Sequence, residues 1–374
     1  MPALRQPFSA LLGFGRNRAA TVLAASALAV AGCGSAAPKF DQATSPETVD
    51  AASFDPAGLS APVTEEDCTL SSGHVTTCLK IQLKGAPADH AVGPFCPRTV
   101  YDTADHAGIW FKDGTVYDLD GDFVKGLANL YGDPVWKLYD DTTGAVRVTD
   151  TREACAAAAR PDVDPAYNNY CVECSLDYVG GGVGSTLLIP KKPGPRSTPA
   201  GVLGLPAVGA ALNGVPFEGP APVAAILKNH TIAALDDCGG HVNLAVGYHY
   251  HAATGCSRKI ERGDGHAALI GYAIDGYAMH AMSEGDGTTP TDLDDCRGHR
   301  DATRGYHYHV AGAGENLFIG CLHGETAVRG AGGVEPVPGG DDPTPCVAGQ
   351  TSSCCGDGTC DGPETAANCT ADCR

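Results

Sequence analysis

The sequence predicts a mainly β, or β-rich α+β, fold made of internally duplicated hairpin and strand units held by disulfides. Three observations lead there: short alternating segments broken by turn dipeptides, a long phrase that occurs twice in register, and a high count of cysteines. From 67 to 200 the chain reads as an N-terminal β-rich region. "HVTTCLKIQL" alternates apolar and polar residues, and "GIWFKDGTVYDLDGDFV" sets Asp113-Gly114 and Asp120-Gly121, both hairpin signals, among β-branched and aromatic residues. A helix is predicted over 151–160, with Thr149 or Thr151 as its cap and Pro161 as its stop. "DLDGD" from Asp118 is a turn rather than a calcium loop, because Gly stands fourth and Asn129 occupies the twelfth place where Glu is needed. "VGGGVGST" lacks the lysine of a phosphate loop and is read as a plain loop.

From 201 to 330 the chain repeats itself. "LDDCGGHVNLAVGYHYH" starts at Leu235 and "LDDCRGHRDATRGYHYH" at Leu293, so Cys238 and Cys296, His241 and His299, and His249 and His307 are each separated by the same 58 positions. Related phrases precede each copy, "ALNGVPFEG" from Ala211 and "AIDGYAMHA" from Ala273. Each unit is expected to be a hairpin, a loop and a strand, and the two to pack as a pseudo-symmetric pair.

The first 32 residues carry Arg5, Arg16 and Arg18 ahead of an apolar run too short to span a bilayer, the pattern of an export signal. The run ends in Val30-Ala31-Gly32-Cys33, similar to the bacterial lipobox, so Cys33 is the expected lipidation site, with an ordinary cleaved signal as the alternative. Gly34 after it favours the outer membrane or cell surface. Residues 33–66 are small and polar and are expected to form a flexible tether. Residues 331–345 form a Pro/Gly linker, and 346–374 a Cys-rich tail with almost no apolar residue to make a core.

Seventeen cysteines leave sixteen once Cys33 is assigned to lipid: ten from Cys68 to Cys321 and six from Cys346 to Cys373. An exported chain of this kind forms disulfides by default. The formal charge of −19 repels nucleic acid and anionic membrane surfaces, so no nucleic-acid partner is expected and membrane contact is left to the lipid; it attracts cations, with plain solubility of an exported chain as the alternative reading. No partner protein is legible.

The chemistry lies in the two "GYHYH" tracts. In a strand, His249 and His251 point one way and Tyr248 and Tyr250 the other; the same holds for His307 and His309 against Tyr306 and Tyr308. Two imidazoles on one face grip a metal from two sides, and each copy adds a histidine ahead of its strand, His241 and His299. Cys238 and Cys296 are near enough to serve as soft ligands, but disulfides are preferred, Cys238 with Cys256 and Cys296 with Cys321. An imidazole-rich site with little thiolate suits copper or zinc, copper preferred. His90 and His266 are possible additional ligands, with a hydrogen bond to a loop carbonyl as the alternative for each; His280, His323, His106 and His230 have no supporting spacing. Asp236, Asp237, Asp294 and Asp295 are candidates to orient imidazoles, with turn formation as the alternative. The tyrosines are either packed walls or redox-active neighbours of copper. There is no G-x-S-x-G and no H-E-x-x-H, so no standard hydrolase motif supplies a nucleophile.

With "GAPADHAVGPF", "ALNGVPFEG", "CGGHVNLAVGYHYH", "HAALIGYAIDGY", "LDDCRGHRDATRGYHYH" and "LFIGCLHG" in order, residues 85–325 resemble the YHYH-domain family of bacterial exported proteins. The resemblance implies no particular activity. Asn316-Leu317-Phe318 and Tyr277-Ala278-Met279 depart from the family's usual phrases while leaving every tract histidine in place. The tail resembles a short Cys-rich module of secreted bacterial proteins, in which Asp357, Asp361, Glu364 and Asp372 are candidates for calcium and a disulfide scaffold is the alternative. The expected function is metal binding, for metal handling or sensing at the cell envelope. The rivals are a metal-dependent extracytoplasmic oxidoreductase or hydrolase and a structural or adhesive surface domain without metal.

Overall fold

A computed structural model describes residues 45–328. The signal segment, Cys33, the 331–345 linker and the tail with Asp357, Asp361, Glu364 and Asp372 lie outside the described residues. The expected tether is a packed segment from residue 45 onward. Val49, Phe54 and Leu59 are buried against Leu212 and Tyr272, and Asp55 N donates to Leu212 O at 2.7 Å. Two single-turn 3-10 helices at Ala51–Ser53 and Pro56–Gly58, capped by Asp50 and Asp55, space those apolar residues irregularly. The segment therefore shows neither a helical nor a strand period.

β1 (Thr64–Thr69) and β2 (Val75–Leu83) form an antiparallel hairpin stitched by the Cys68–Cys78 disulfide. β3 (Ile109–Lys112) and β4 (Thr115–Asp118) turn through Asp113 and Gly114, whose φ values of 50° and 78° are the left-handed pair a two-residue hairpin requires. The second expected hairpin signal has a different use. Asp120 accepts from Phe123 N at 2.8 Å and caps α1 (Gly121–Leu130), whose Phe123, Val124 and Leu127 enter the core. Asp-Gly serves either role, and here the apolar residues at 123, 124 and 127 decide for the helix.

α2 (Arg152–Ala158) starts where Thr151 accepts from Ala154 N, and Cys155 ties it to Cys174; Cys96–Cys171 closes a second bridge nearby. β5 (Cys171–Val172) follows, then β6 (Ser185–Pro190), which pairs with β2, and β7 (Pro195–Gly201).

The first repeat supplies β8 (Gly209–Ala211), β9 (Pro216–Phe217), α3 (Val223–Lys228), β10 (Ile232–Ala233, parallel to β5), β11 (Gly240–Asn243) and β12 (Gly247–Tyr250). The second supplies β13 (Leu269–Ala273), β14 (Ala278–His280), β15 (Gly298–Asp301) and β16 (Gly305–His309). Their eight sheet strands run in the order β11-β12-β9-β8-β13-β14-β16-β15. Each half reads the same from the centre outward: an antiparallel pair, a parallel step and a second antiparallel pair. At the centre Gly209 faces Ala273 and Ala211 faces Gly271. These two pairs exchange under the shift that carries Ala211 to Ala273, so a pseudo-two-fold axis passes between Ala210 and Tyr272. β17 (Cys321–Gly324) returns to pair with β7, and Cys296–Cys321 pins it to the start of β15.

β12 and β16 are buried on both faces. Tyr248, Tyr250, Tyr306 and Tyr308 enter the main core. Gly240 and Gly298 make room for them: a Cβ at Gly240 would lie 2.5 Å from the Tyr248 hydroxyl, and one at Gly298 2.1 Å from that of Tyr306. The tyrosine hydroxyls end on polar groups. Tyr248 donates to Asp236 and Tyr306 to Asp294 (both 2.9 Å), Tyr308 donates to Asp275 (2.6 Å), and Tyr250 accepts from Asn213 Nδ2 (2.8 Å). Asp236 and Asp294, the first aspartate of each pair before a cysteine, are thus bound to tyrosine and to turn N–H groups, including those of Gly240 and Gly298, rather than to imidazole.

Candidate metal centres

In each repeat the antiparallel register sets two histidines opposite one another, His241 against His249 and His299 against His307. The second histidine of each tract, His251 or His309, falls two residues further along the same face. The first centre is His241, His249 and His251, and the second is His266, His299, His307 and His309; within each, the ligand atoms all lie within 4.8 Å of one another. His266 reaches the second centre from the segment that leads into β13.

The orientation of the rings carries the chemistry. His249 Nδ1 faces Gly247 O (3.1 Å), His251 Nδ1 faces Gly219 O (2.7 Å), and Ala234 makes a backbone hydrogen bond to His241. In the second centre His307 Nδ1 faces Gly305 O (3.0 Å), His309 Nδ1 faces Ala281 O (3.0 Å), and His266 Nδ1 faces Ala267 O (3.0 Å). His299 Nδ1 meets the Asp292 carboxylate at 2.9 Å. A ring nitrogen against a carbonyl or carboxylate oxygen must carry the proton, so Nε2 presents a lone pair. Those lone pairs converge: His249 and His251 Nε2 are 3.1 Å apart, and His307 Nε2 is 3.0 Å from both His266 and His299 Nε2.

Two acceptors at that distance are relieved by a proton or by another cation. Burial opposes the proton, pushing His249, His251 and His307 down to about 4 and His309 down to about 3, and holding His241 well below the usual imidazole range. A metal fits instead. Two nitrogens each about 2.0–2.1 Å from one ion sit roughly 2.9–3.4 Å apart for angles between square and tetrahedral. Further support comes from buried atoms with no partner, His309 Nε2 and His280 Nε2.

His280, which its sequence spacing did not single out, stands beside the second centre. Its ring centroid is 4.6 Å from that of His266 and its Nδ1 faces Ala267 O at 2.8 Å. Two glutamates were likewise missed. Glu218 Oε2 is 3.5 Å from His249 Nε2, and burial pushes its carboxyl up to about 7; Glu284 Oε1 is 4.0 Å from both His266 and His309 Nε2. A signal for the first two was present in the duplication: Glu218 and His280 are the eighth letters of "ALNGVPFEG" and "AIDGYAMHA".

His90 does not join either centre. It lies against the tyrosine face of β12, 3.4 Å from the Tyr248 hydroxyl and 3.5 Å from that of Tyr250, with Nδ1 on Asp89 at 2.7 Å. Strand alternation puts that face opposite His249 and His251, which corrects its reading as a further ligand of the tract. Cys238 and Cys256 stand near His90, but they form a disulfide and offer no thiolate; Cys296 is likewise bonded to Cys321. The tyrosines act as packed, hydrogen-bonded walls on the core side of the strands. His230 pairs with Asp133 and His323 stacks on Tyr306, away from both centres.

Residues 186–292 match the model of a family described as "YHYH protein". The chain carries a YHYH domain. The match is narrower than the 85–325 resemblance read from sequence: it takes in the whole first centre, His266 and His280, and stops immediately before the second repeated phrase at Leu293. No curated protein and no solved structure matches the chain. In each copy of the tract, then, the first histidine of the word stands across a β-ladder from an upstream histidine, His249 from His241 and His307 from His299, and the tyrosines of the word build the core behind them.

Proposed function

We propose that the YHYH domain binds transition-metal ions at its two histidine centres, one ion in each, and that the protein handles or senses metal at the cell envelope, anchored there by a lipid on Cys33. The observation that carries this reading is the convergence of Nε2 lone pairs at 3.0–3.1 Å while the Nδ1 atoms are committed to carbonyl and carboxylate oxygens. A hydrogen-bonded structural cluster would alternate donors and acceptors; this one aims acceptors at acceptors. Imidazole with flanking carboxylate, and with the neighbouring thiols bound in disulfides, suits a borderline divalent ion. Cu(II) binds such donors most tightly in the first-row order, with Zn(II) the alternative.

The test is elemental analysis of the full chain exported to a periplasm and purified without chelator, beside a variant in which His249, His251, His307 and His309 are changed to Ala. Two copper or zinc ions per chain, lost in a variant that keeps its circular dichroism, support the reading. Wild-type protein without metal after reconstitution would make the tracts architectural and leave the adhesive or structural role.

A further inference from the structure

The two centres are related by the pseudo-two-fold axis, yet they are not built alike. The shift that carries Ala211 to Ala273 also carries Gly204 to His266 and Glu218 to His280. Where the second centre receives two further imidazoles, the first receives a residue with no side chain and a carboxylate.

The absent side chain leaves space. A Cβ at Gly204 would meet nothing within 4 Å. A cavity of about 290 Å³ opens there, lined by His241, His249, His251 and Glu218 on one side and by Phe95, Val172, Leu203 and Leu205 among others. In the second centre His266 stands where Gly204 would map, its Nε2 3.0 Å from His307 Nε2. Both Nδ1 anchors of the tract are nevertheless preserved: Gly219 O serves His251 as Ala281 O serves His309. The three tract-linked histidines are placed alike in both halves, and what differs is that His266 stands beside them in the second and a cavity opens beside them in the first.

We infer that the first centre is an open site that takes an exogenous ligand on its metal, a small monoanionic oxygen or nitrogen donor with an apolar body, whereas the second is closed by His266. Three neutral imidazoles leave the charge of a divalent ion uncompensated except for Glu218, so a single negative donor completes the balance. The cavity is of a size for a ligand of several heavy atoms, and its leucine, valine and phenylalanine walls accept a hydrocarbon tail. Three protein ligands with an open position beside a carboxylate is also the form that catalytic, rather than structural, metal sites take. The inference rests on metal occupancy of both centres.

The experiment uses the full chain reconstituted with Co(II), whose visible spectrum reports coordination, and begins with metal stoichiometry. Azide and hexanohydroxamate are then titrated separately. Wild type with two ions is expected to change over half of its cobalt absorbance and saturate there. Gly204→His should abolish that change while two ions stay bound. The reciprocal variant His266→Gly, free of any strain at the positive φ of Gly204, should extend the change to both ions. A response from both ions in wild type, or from neither while two are bound, overturns the inference and leaves metal binding intact. Failure to bind cobalt, copper or zinc at all overturns the metal reading itself.

Discussion

Glu218 and His280 hold the same place in the two halves of one sheet. Each directly precedes the residue whose carbonyl anchors the last histidine of its tract, Gly219 for His251 and Ala281 for His309. The scaffold around them is common, so the difference between a carboxylate and an imidazole there sets the character of each centre rather than its position.

Because the centres draw on separate repeats, they are expected to lose metal separately. Changing His249 and His251 to Ala should halve the metal content, as should changing His307 and His309, and the two effects should add. Plasma emission spectrometry on the three variants checks this. Loss of all metal from either pair would mean one shared ion.

Glu218→Gln keeps the shape of the side chain beside His249 and removes its charge. Retention at the first centre should weaken about 10-fold, as expected for a group next to the ligands. Competition with a chromophoric chelator measures it, and Glu284→Gln should leave that phase unchanged.

Acid should destabilise the metal-free protein in a defined window. Folded His249, His251 and His307 titrate at about 4 and His309 at about 3, against about 6.5 in an unfolded chain. Between those values the unfolded state binds more protons, so stability is complete above about 6.5, falls as pH drops towards 4, and loses no more from these groups below about 3. Thermal midpoints of chelated wild type from pH 7 to 4 should therefore fall more steeply than those of the four-alanine variant. Parallel slopes would refute the assignment.

The tyrosine side of the tract has its own test. Asp275 is buried and accepts from the Tyr308 hydroxyl and from Gly324 N at 2.8 Å. Asp275→Ala should cost about 3 kcal/mol by stranding both donors, while Asp275→Asn should cost roughly 1 kcal/mol or less. The other repeat already uses the amide, since Asn213 donates to Tyr250. Urea melts of the two variants decide it.

Breaking Cys96–Cys171, which spans 75 residues, should cost about 4 kcal/mol through the freedom returned to the unfolded chain. The same denaturation series on the double serine variant measures it, and metal content should survive in the fraction that folds.

How much of this was legible depended on whether the signal was local. The alternation in "GYHYH" and the 58-residue shift are enough to name His241, His249 and His251 in one copy and His299, His307 and His309 in the other, because strand geometry and duplication act residue by residue; that His241 stands opposite His249, and His299 opposite His307, is set by a ladder register the sequence does not spell out. His266 could be named as a candidate without its destination. His280 was passed over because its partners come from β16 and the segment before β13, and only pairing of the two upstream phrases would have linked it to Glu218. The sequence leaves His90 open between ligand and loop hydrogen bond, because its neighbours are the rings of another element's hidden face. The packing of 45–66 lay beyond pattern reading altogether: Phe54 is buried by Tyr272, more than two hundred residues away.

The alternation of tyrosine and histidine means that two inheritances share one five-letter word. The histidine letters face the two candidate centres and the tyrosine letters face the main core, so a codon change in one set falls on a different face of the strand from the other. Such a tract can drift in chemistry while standing still in shape, and a second copy lets it do so with one half held in reserve.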